Sequence, residues 1–412
     1  MQKDIEKFAL QNAIKYKGKA NPGAIMGVMF SQYPELKKDA KTLAKNIQGI
    51  VSEVNKLSLE EQTARLQKIA PELLEKKDKK KRELPPLENT EGGVVTRLPP
   101  EPSKYLHVGH ALSFLINYIY AKKYNGKCVL SLEDTNPEKS KQEYYQGIYD
   151  DLLWLRVHVD DTVIVSKHME TFYKYAEEMI EKEVAYVCFC ESEKMRAYRT
   201  NSMICEHREQ NARQNLEHWK KMLDGIYKQG ECVLRMTGDM DALNAVMRDP
   251  VLFRISHTSH TLQKDKYKVW PLYDFETVVA GEFTGITHIF RSSEFGKMRI
   301  ELQNRIKDHL GFRKQTIRQY GRFSIVGAVT KGRVIREMIE KGEVDGWDDP
   351  RLVTLKSMRR RGINPETFYE LAVEAGLSTS ETRLDFSVIA SINRKLIDDT
   401  TKRFFFVKDA KK

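Results

Sequence analysis

The 412-residue sequence predicts an α/β protein with a parallel sheet, preceded by a helical extension at the N-terminus. From Val94 onward, short β-like runs alternate with segments of helical spacing, which is typical of parallel strands joined by helical crossovers. Residues 1 to about 75 instead place apolar side chains such as Ile5, Phe8 and Ala9 at helical spacing. Hydrophobic residues make up 41% of the chain, as expected for a globular protein large enough to hold several domains.

The net charge indicates the class of binding partner, and the cysteine content indicates the cellular compartment. The net charge of +11 favours a polyanionic partner. No apolar run reaches the length of about 18 residues that a membrane span needs, and the N-terminus lacks the apolar segment of a signal peptide. The five cysteines, an odd number, indicate free thiols in a reducing compartment, so we expect a cytoplasmic protein without membrane partners.

The first 88 residues are expected to form a helical extension followed by a basic linker. Leu43, Ile47 and Val51 repeat the helical spacing of the first segment. A run of charged residues at 76–82 precedes two prolines, which is typical of an exposed linker. A role of this run in contacting a nucleic acid, and docking of protein partners on the helices, are left open by the sequence.

The first strand of the α/β region leads into a motif suited to binding phosphate. A β-like run at 93–97 is followed by a proline-rich turn at 98–103, by His107-Val108-Gly109-His110 and by an apolar helical run ending at Tyr124. Amide groups at the start of a helix attract anions, and a glycine lets a ligand approach the backbone closely. Imidazoles add donors that can follow charge as it develops on phosphate oxygens. By itself the motif is better explained by two ordinary surface histidines beside a proline-rich turn, so the rest of the chain must decide.

The next elements extend the alternating pattern. A β-like run at 128–133 ends in an acidic turn at 134–137 that has helix-start chemistry, and helices are expected near 138–155 and 169–182. Residues 188–250 are expected to be an insertion, because they are rich in Cys, His, Arg and Trp.

Three charged residues mark the predicted ligand-binding edge of the sheet. Strand signals resume at 268–270 and at 286–291, and Arg97, Glu133 and Arg291 all lie at predicted strand ends. Ligands of parallel sheets bind at the carboxyl ends of strands. Because neither GxGxxG after a strand nor GxxxxGK[ST] occurs, the sequence disfavours dinucleotide-binding and P-loop proteins.

A cluster of thiols and one imidazole within the insertion has the character of a metal site. Cys188 and Cys190 are followed, after fourteen residues, by Cys205 and His207. Three cysteines and one histidine form the closed tetrahedral set of structural zinc. The pairs are spaced by one residue, more tightly than in common zinc fingers, so free reduced cysteines beside a surface histidine remain the alternative. Cys128 and Cys232 fall in β-like runs and are expected in the core.

Taken together, these segments resemble the class I aminoacyl-tRNA synthetases, most closely glutamyl-tRNA synthetases of the archaeal type. The resemblance runs from about Gly92 to the end, and the helical extension resembles those of archaeal and eukaryotic relatives. The matching segments are VTR at 95–97, PPEPS at 99–103, His107–His110, EDTNP at 133–137, PLYDF at 271–275, GITH at 285–288, GWDDPRL at 346–352 and RRRG at 359–362.

The resemblance implies a Rossmann-like catalytic domain with inserted and appended parts. The expected domains are 89–187 and 251–320 for the two catalytic halves, 188–250 for an acceptor-stem domain with the zinc site, 321–390 for a KMSKS-like loop and stem-contact helical domain, and 391–412 for the start of an anticodon-binding β-barrel. The barrel expectation rests on the segments at 393–398 and 404–407. Since relatives continue through two barrels, we expect a truncated or naturally short form with poor anticodon discrimination.

The resemblance also implies a reaction and its residues. Glutamate would be activated by ATP, with Mg²⁺ on the nucleotide, to glutamyl-adenylate, and the glutamyl group would pass to tRNA(Glu), with tRNA(Gln) as an open second acceptor. The implied catalytic residues are His107, His110 and Lys331, and those binding ATP are Pro99, Glu101, His107, Gly109, His110, Thr330 and Lys331. The implied glutamate-binding residues are Arg97, Glu133, Tyr273 and Arg291, and those binding tRNA are Arg359, Arg360 and Arg361.

Three alternatives remain open at this point. A glutaminyl-tRNA synthetase is disfavoured by Arg291, because an unpaired guanidinium would reject a neutral amide. A short glutamyl transferase that modifies a tRNA base is disfavoured by the N-terminal extension. A catalytically impaired paralogue that only binds tRNA is supported by the degraded loop at 328–333, where only Thr330 and Lys331 keep the KMSKS character. Lys104, Ser131 and the pair at 280–281 also depart from the resembled pattern.

Overall fold

A computed structural model describes residues 1–74, 83–404 and 408 of the chain. The predicted basic linker at 76–82 and the aromatic segment at 405–407 therefore lie outside the described residues. The chain divides into two compact units, Met1–Lys81 and Arg82–Lys412. Within the described ranges, no helix combines the length and the apolar character needed to cross a membrane.

The first unit is a small helical bundle with its own core. Ile5, Ile47 and Leu66 are fully buried in that core, which confirms the helical spacing read from the sequence. The last helix starts with a reciprocal cap between Ser58 and Glu61. The helices are α1 (Gln2–Lys15), α2 (Pro22–Gln32), α3 (Ala40–Val54) and α4 (Leu59–Ile69).

The segment at 83–88 packs with the larger unit, although the sequence assigned it to the extension. Leu84 and Leu87 are buried in the core of the larger unit, and the Tyr120 hydroxyl donates to the Pro85 carbonyl over 2.8 Å. The predicted domain boundary at residue 88 therefore lies inside the larger unit.

The larger unit begins with the predicted parallel sheet, which confirms the α/β fold class. Its first elements are β1 (Val95–Leu98), α5 (Val108–Lys123), β2 (Lys127–Leu132), α6 (Gln142–Trp154), β3 (Asp161–Ile164) and α7 (Met169–Glu181). The three strands pair in parallel in the order β1-β2-β3. Helix α5 packs against β1, and Ala111, Leu115 and Ile116 on it are fully buried, which explains its apolar run.

Helix α6 begins four residues later than predicted, because the acidic turn before it forms hydrogen bonds to other segments and does not cap the helix. The sequence assigned helix-start chemistry to this turn. Instead, the fully buried Asp134 carboxylate accepts the Ser166 N–H, the Ser166 hydroxyl and the Tyr145 hydroxyl, each over 2.7 Å. The Asp134 carboxylate therefore links the turn to Ser166, which lies just after β3.

The insertion is larger than predicted and contains its own antiparallel sheet. Its elements are β4 (Ala185–Cys188), α8 (Ser192–Thr200), α9 (Ala212–Leu223), β5 (Val233–Met236), β6 (Val251–Ile255) and β7 (Val269–Pro271). The strands pair antiparallel in the order β4-β5-β6-β7. The strand signal at 268–270, which was expected to continue the alternating parallel pattern, belongs to this antiparallel sheet instead, because a local strand pattern does not reveal the direction of its partner.

The second half of the parallel architecture follows the insertion. Its elements are α10 (Tyr273–Phe283), β8 (His288–Ser292), α11 (Gly296–Leu310) and β9 (Thr316–Tyr320). Strands β8 and β9 pair in parallel. The Thr287 N–H donates to the Val95 carbonyl over 3.0 Å, which brings the start of β8 beside β1. The ends of β1, β2 and β8 consequently face the same region.

The remaining residues form a mostly helical segment. Its elements are β10 (Phe323–Ile325), α12 (Gly332–Glu340), α13 (Leu355–Arg360), α14 (Pro365–Ala375), β11 (Thr382–Leu384) and α15 (Phe386–Ile397). The residues at 393–397, which the sequence assigned to the start of a β-barrel, are helical and close α15, with Ile389 and Ile392 buried. The boundary predicted at 391 therefore falls inside a helix.

Candidate active site and metal centre

One cavity of about 730 Å³ lies at the carboxyl ends of β1, β2 and β8. Its volume is that of a typical small-molecule site. Every residue that the sequence assigned to ATP or glutamate lines it, from segments spread over more than half the chain. These residues are Arg97, Pro99, Glu101, His107, Gly109, His110, Glu133, Tyr273, Arg291, Thr330 and Lys331.

The two histidines at the start of α5 hold each other in place. His107 is the N-cap of the helix, and its Nδ1 accepts the Gly109 N–H over 3.1 Å. The Nδ1 of His110 accepts the N–H of His107 over 3.2 Å. Because each Nδ1 accepts a hydrogen bond from a backbone N–H group, the ring proton of each neutral imidazole resides on Nε2. Both histidines are therefore fixed in the tautomer that presents one N–H donor.

The backbone amides at this helix start are already bound within the protein. The Val108 N–H donates to the Val353 carbonyl over 3.1 Å, and the His110 N–H donates to the His107 carbonyl over 2.9 Å. With the Gly109 amide bound by an imidazole, the expectation that these amides face a phosphate is wrong. The imidazole N–H groups are therefore the hydrogen-bond donors that this turn offers to a ligand.

Gly109 is required by the packing of the turn itself. A Cβ at this position would lie 3.1 Å from the Nδ1 of His107 and 3.3 Å from the carbonyl oxygen of Phe323. The absent side chain thus lets the imidazole fold back onto the backbone, as well as leaving the turn open toward the cavity.

Burial keeps both histidines uncharged. It lowers the pKa of His107 to about 3 and that of His110 well below its usual value, and the nearby cation Lys104 acts in the same direction. A group with so low a pKa is a poor proton acceptor near neutral pH. The arrangement therefore suits hydrogen bonding to an anion rather than general base catalysis.

The KMSKS-like loop closes one side of the cavity. Lys331 is the exposed N-cap of α12, and Thr330 precedes it. The ammonium of Lys104 donates to the Thr330 carbonyl over 3.4 Å, so this lysine joins the histidine turn to the loop. Burial lowers the pKa of Lys104.

The opposite side of the cavity holds buried arginines with unused donors. Arg97 donates to Glu133 over 2.5 Å, and Arg291 donates to the neutral Gln303 amide over 2.9 Å. Among the described residues, the Nε of Arg97 and the Nε and Nη2 of Arg291 have no hydrogen-bond partner. Burying such donors costs free energy unless they are paired, so this end of the cavity suits an anionic group.

Tyr273 and Glu133 also line the end of the cavity that holds Arg97 and Arg291. Burial raises the pKa of Tyr273, so its hydroxyl stays protonated, and it interacts with the Arg291 guanidinium. Burial also raises the pKa of Glu133, against the opposing effect of its ion pair with Arg97.

Sequence reasoning missed several residues that line the cavity. Arg254 of β6 donates to Asn136 over 3.0 Å, and Arg322, directly after β9, pairs with Glu294 over 2.7 Å. The position of Arg322 just beyond a strand end was a signal that could have identified it. Arg254 carried no such signal, because no strand was predicted at 251–255.

The four predicted metal ligands meet in the insertion. All their ligand atoms lie within 4.8 Å of one another. The sulfur of Cys205 lies 3.7 Å from that of Cys188, 3.4 Å from that of Cys190 and 3.2 Å from Nδ1 of His207. A zinc ion bound by sulfur at about 2.3 Å requires tetrahedral edges of about 3.8 Å, so the spacing fits this ion.

The three arginines predicted to bind tRNA lie away from the main cavity. Arg359 and Arg360 line a second, open cavity of about 430 Å³ with Tyr105, Trp347 and Lys356. Arg361 lies over the ring of Phe386, at 3.5 Å from its centroid. The three guanidinium groups are exposed and also hold internal contacts.

Comparisons with known proteins agree with this geometry. The chain is 42% identical over 412 residues to a glutamate–tRNA ligase of Thermococcus onnurineus, covering 98% of this chain and 72% of that protein. It is 41% identical over 412 residues to one of Nitrosopumilus maritimus, with 99% and 72% covered. The crystal structure of a glutamate tRNA ligase from Elizabethkingia meningosepticum in complex with its amino acid shares the fold, with a TM-score of 0.54, 17% identity and 74% and 70% covered.

The family comparison covers the larger unit. The family described as "tRNA synthetases class I (E and Q), catalytic domain" matches residues 93–399, from β1 to the end of α15. This range contains the main cavity, the four-ligand cluster and the arginines of α13. The chain therefore belongs to the class I tRNA synthetase family of the glutamate and glutamine enzymes.

Proposed function

We propose that this protein ligates L-glutamate to tRNA at the expense of ATP, through a glutamyl-adenylate. The unused guanidinium donors of Arg97 and Arg291 carry this proposal, since they offer a buried anion site in the same cavity as His107 and His110. A planar carboxylate is the group that guanidinium donors pair with best. The relatives named above are glutamate–tRNA ligases.

The first step joins glutamate to AMP. An α-carboxylate oxygen of glutamate attacks the α-phosphorus of ATP, and the bond from this phosphorus to the α,β-bridging oxygen breaks, so that pyrophosphate leaves with that oxygen. Since the carboxylate is already ionised, the protein needs to align the reactants and stabilise spreading charge. We assign the Nε2–H groups of His107 and His110, with Lys331 and Thr330, to the phosphate oxygens.

Arg97, Arg291 and Tyr273 would hold the side-chain carboxylate during this step. Glu133 would hold the α-ammonium group, since its carboxylate lines this end of the cavity beside Arg97. Pro99 and Glu101 of the turn would border the nucleotide. Mg²⁺ bound to ATP would neutralise phosphate charge during this step.

In the second step, a hydroxyl of the terminal adenosine of tRNA attacks the adenylate carbonyl, and AMP leaves. Zinc in the insertion would have a structural role there, because four protein ligands leave no open position. We assign contacts with the tRNA phosphates to Arg359, Arg360 and Arg361. Five free cysteines in the described structure support a reducing compartment, and we propose the cytoplasm.

The remaining candidates are less well supported. A glutaminyl enzyme would leave the Arg291 donors facing a neutral amide, which can accept fewer of them. An impaired paralogue would not need the paired histidines in one fixed tautomer. Acceptance of tRNA(Gln) and protein partners of α1–α4 remain predictions from the sequence.

Exchange of pyrophosphate into ATP tests the proposal most directly. We expect exchange that depends on L-glutamate, measured with and without tRNA, and much weaker exchange with L-glutamine. Exchange with neither amino acid in the presence of tRNA would support the impaired paralogue. Preference for glutamine would support the glutaminyl enzyme.

A further inference from the structure

A buried lysine lies behind the anion site and takes no part in the reaction described above. Lys307, on α11, is only 2% exposed. Its ammonium has no hydrogen-bond partner among the described residues. It does not line the main cavity, so it would act on a ligand across intervening side chains.

The position of Lys307 on its helix connects it to the substrate arginines. Gln303, one turn earlier on α11 and therefore on the same face, accepts from Arg291 and donates to Asp274 over 3.0 Å. Arg291 and Arg97 both interact electrostatically with Lys307, and burial with these two cations lowers its pKa to about 8. The three cations thus form one buried group.

The carboxylates around this group are already engaged. Glu133 pairs with Arg97, and Asp274 pairs with Arg299. Glu276 accepts a hydrogen bond from the Thr135 hydroxyl over 2.7 Å, and burial raises its pKa well above the usual value, which favours its uncharged form.

The acidic residue beside Lys307 is engaged in the same way. Asp308, its neighbour on α11, pairs with the ammonium of Lys314 over 2.7 Å. Two buried cations, Arg291 and Lys307, therefore lack a carboxylate from the described part of the chain.

Burying an unpaired charge destabilises the folded state, whereas an apolar side chain of similar length at this position would avoid that cost. We propose that Lys307 is a positioning residue that adds positive potential behind Arg97 and Arg291, so that the cavity favours a side-chain carboxylate over a carboxamide. The inference rests on the proposed function and adds a specificity-determining residue to it.

Lys307→Met tests this role, because it removes the charge and keeps most of the side-chain volume. We expect the KM for L-glutamate in pyrophosphate exchange to rise about tenfold, the glutamate-over-glutamine ratio of kcat/KM to fall about tenfold, and the KM for ATP to stay unchanged. We also expect the variant to be more resistant to denaturant than the wild type, because an unpaired buried charge is gone.

The pH profile gives a second readout. In the wild type, the KM for glutamate should rise as the pH increases through about 8, where the ammonium loses its proton, and this rise should be absent from Lys307→Met. The charged groups that face Lys307 are Arg291 on β8, Arg97 on β1 and Lys314 after α11, with Asp308 on its own helix. Lys297→Met is the matched control, because it removes an exposed ammonium from the same helix without touching the groups that face Lys307, and it should leave glutamate binding unchanged.

An unchanged KM for glutamate in Lys307→Met would overturn the proposal, whether the variant is more or less stable. A rise in KM together with a loss of stability would also overturn it, because it would indicate a structural role. If the wild type shows no glutamate-dependent exchange, the proposed function fails. Calorimetric titration of both proteins with L-glutamate and with L-glutamine then tests Lys307 by itself, and equal affinities in the two proteins would overturn its role.

Discussion

At the residue scale, the chemistry of His107 and His110 depends on what each ring nitrogen already binds. Both Nδ1 atoms accept backbone N–H groups, so both Nε2–H groups remain as donors. Burial lowers the pKa of both rings and keeps them neutral, and the hydrogen bonds to Nδ1 fix their orientation. Donors that are oriented before the reaction stabilise developing charge without reorganising, which is the most effective electrostatic contribution to catalysis.

His110→Ala should reduce glutamate activation by about 10²–10³-fold, the usual effect of removing one oriented donor to a charged transition state. Lys331→Ala should cost less, because Lys331 is exposed at the end of a loop and is not held in one orientation. Pyrophosphate exchange at saturating ATP and glutamate measures both effects. His110→Gln is the control, since its amide retains a donor near Nε2 and should recover part of the rate. Equal losses in the two alanine variants would contradict this ranking.

The low pKa of His107 also predicts how stability depends on pH. In the unfolded chain this histidine binds a proton near pH 6.5, whereas in the folded chain it does so only near pH 3. The unfolded state therefore gains protons first as the pH falls, and stability is lost from about pH 6.5 downward.

At pH 5 the loss from this one residue should be about 2 kcal/mol. His107→Asn should remove that part of the pH dependence while still capping α5, because asparagine is a favoured N-cap. Denaturant unfolding of both proteins at pH 7 and pH 5 measures the difference. If both proteins lose the same stability between these pH values, His107 does not have the assigned pKa.

At the scale of elements, the insertion is held by two different kinds of interaction. Its antiparallel sheet packs on apolar residues such as Trp219 and Phe253. A small separate cluster at the end of β4 packs its three cysteines against Met195 and Tyr198, and it places Cys188, Cys190, Cys205 and His207 together. A bound ion would link these segments, as metals do in small domains.

The purified protein should contain one zinc ion per chain, measured by elemental analysis. Cys205→Ala should lose the zinc and lower the melting temperature, because the central ligand of the cluster is gone. Cys232→Ala is the matched control, since this thiol is equally buried but lies outside the cluster, and it should retain the zinc. Full zinc occupancy in Cys205→Ala, or none in the wild type, would rule out this site.

At the scale of the whole molecule, the net charge of +11 favours a polyanion, and exposed arginines concentrate at the end of α13. Binding to tRNA should weaken steeply with salt, because each contact with a phosphate releases a counterion.

Arg360→Ala should reduce the slope of log K against log salt by about 0.9 for one lost phosphate contact. Arg360→Lys should retain the slope, because it keeps the charge. Filter binding of tRNA over a series of salt concentrations measures all three proteins. An unchanged slope in Arg360→Ala would remove this residue from the tRNA surface.

Local pattern predicted much of the fold and the composition of the main cavity. The helices of the first unit, the strands β1, β2 and β8, and the helix after the histidine turn follow from spacings within each segment. Strand ends of a parallel sheet face one region, so Arg97, Glu133 and Arg291 could be expected together. The start of α6 was misplaced because Asp134 binds Ser166 and Tyr145, and these contacts span distances that a local pattern does not contain.

The sequence by itself determined the kinds of elements, their order and the motifs that place the chain in its family, because these depend on neighbouring residues. Only the tertiary structure decided which sheet β6 and β7 join, that the first amides of α5 are occupied, and that Lys307 lies unpaired behind the arginines. Each of these depends on which distant segments share a buried environment. The partner of a strand or of a buried polar group, and the free energy of burying that group, depend on residues far apart in the sequence. They are therefore decided by the folded chain and not by any single segment.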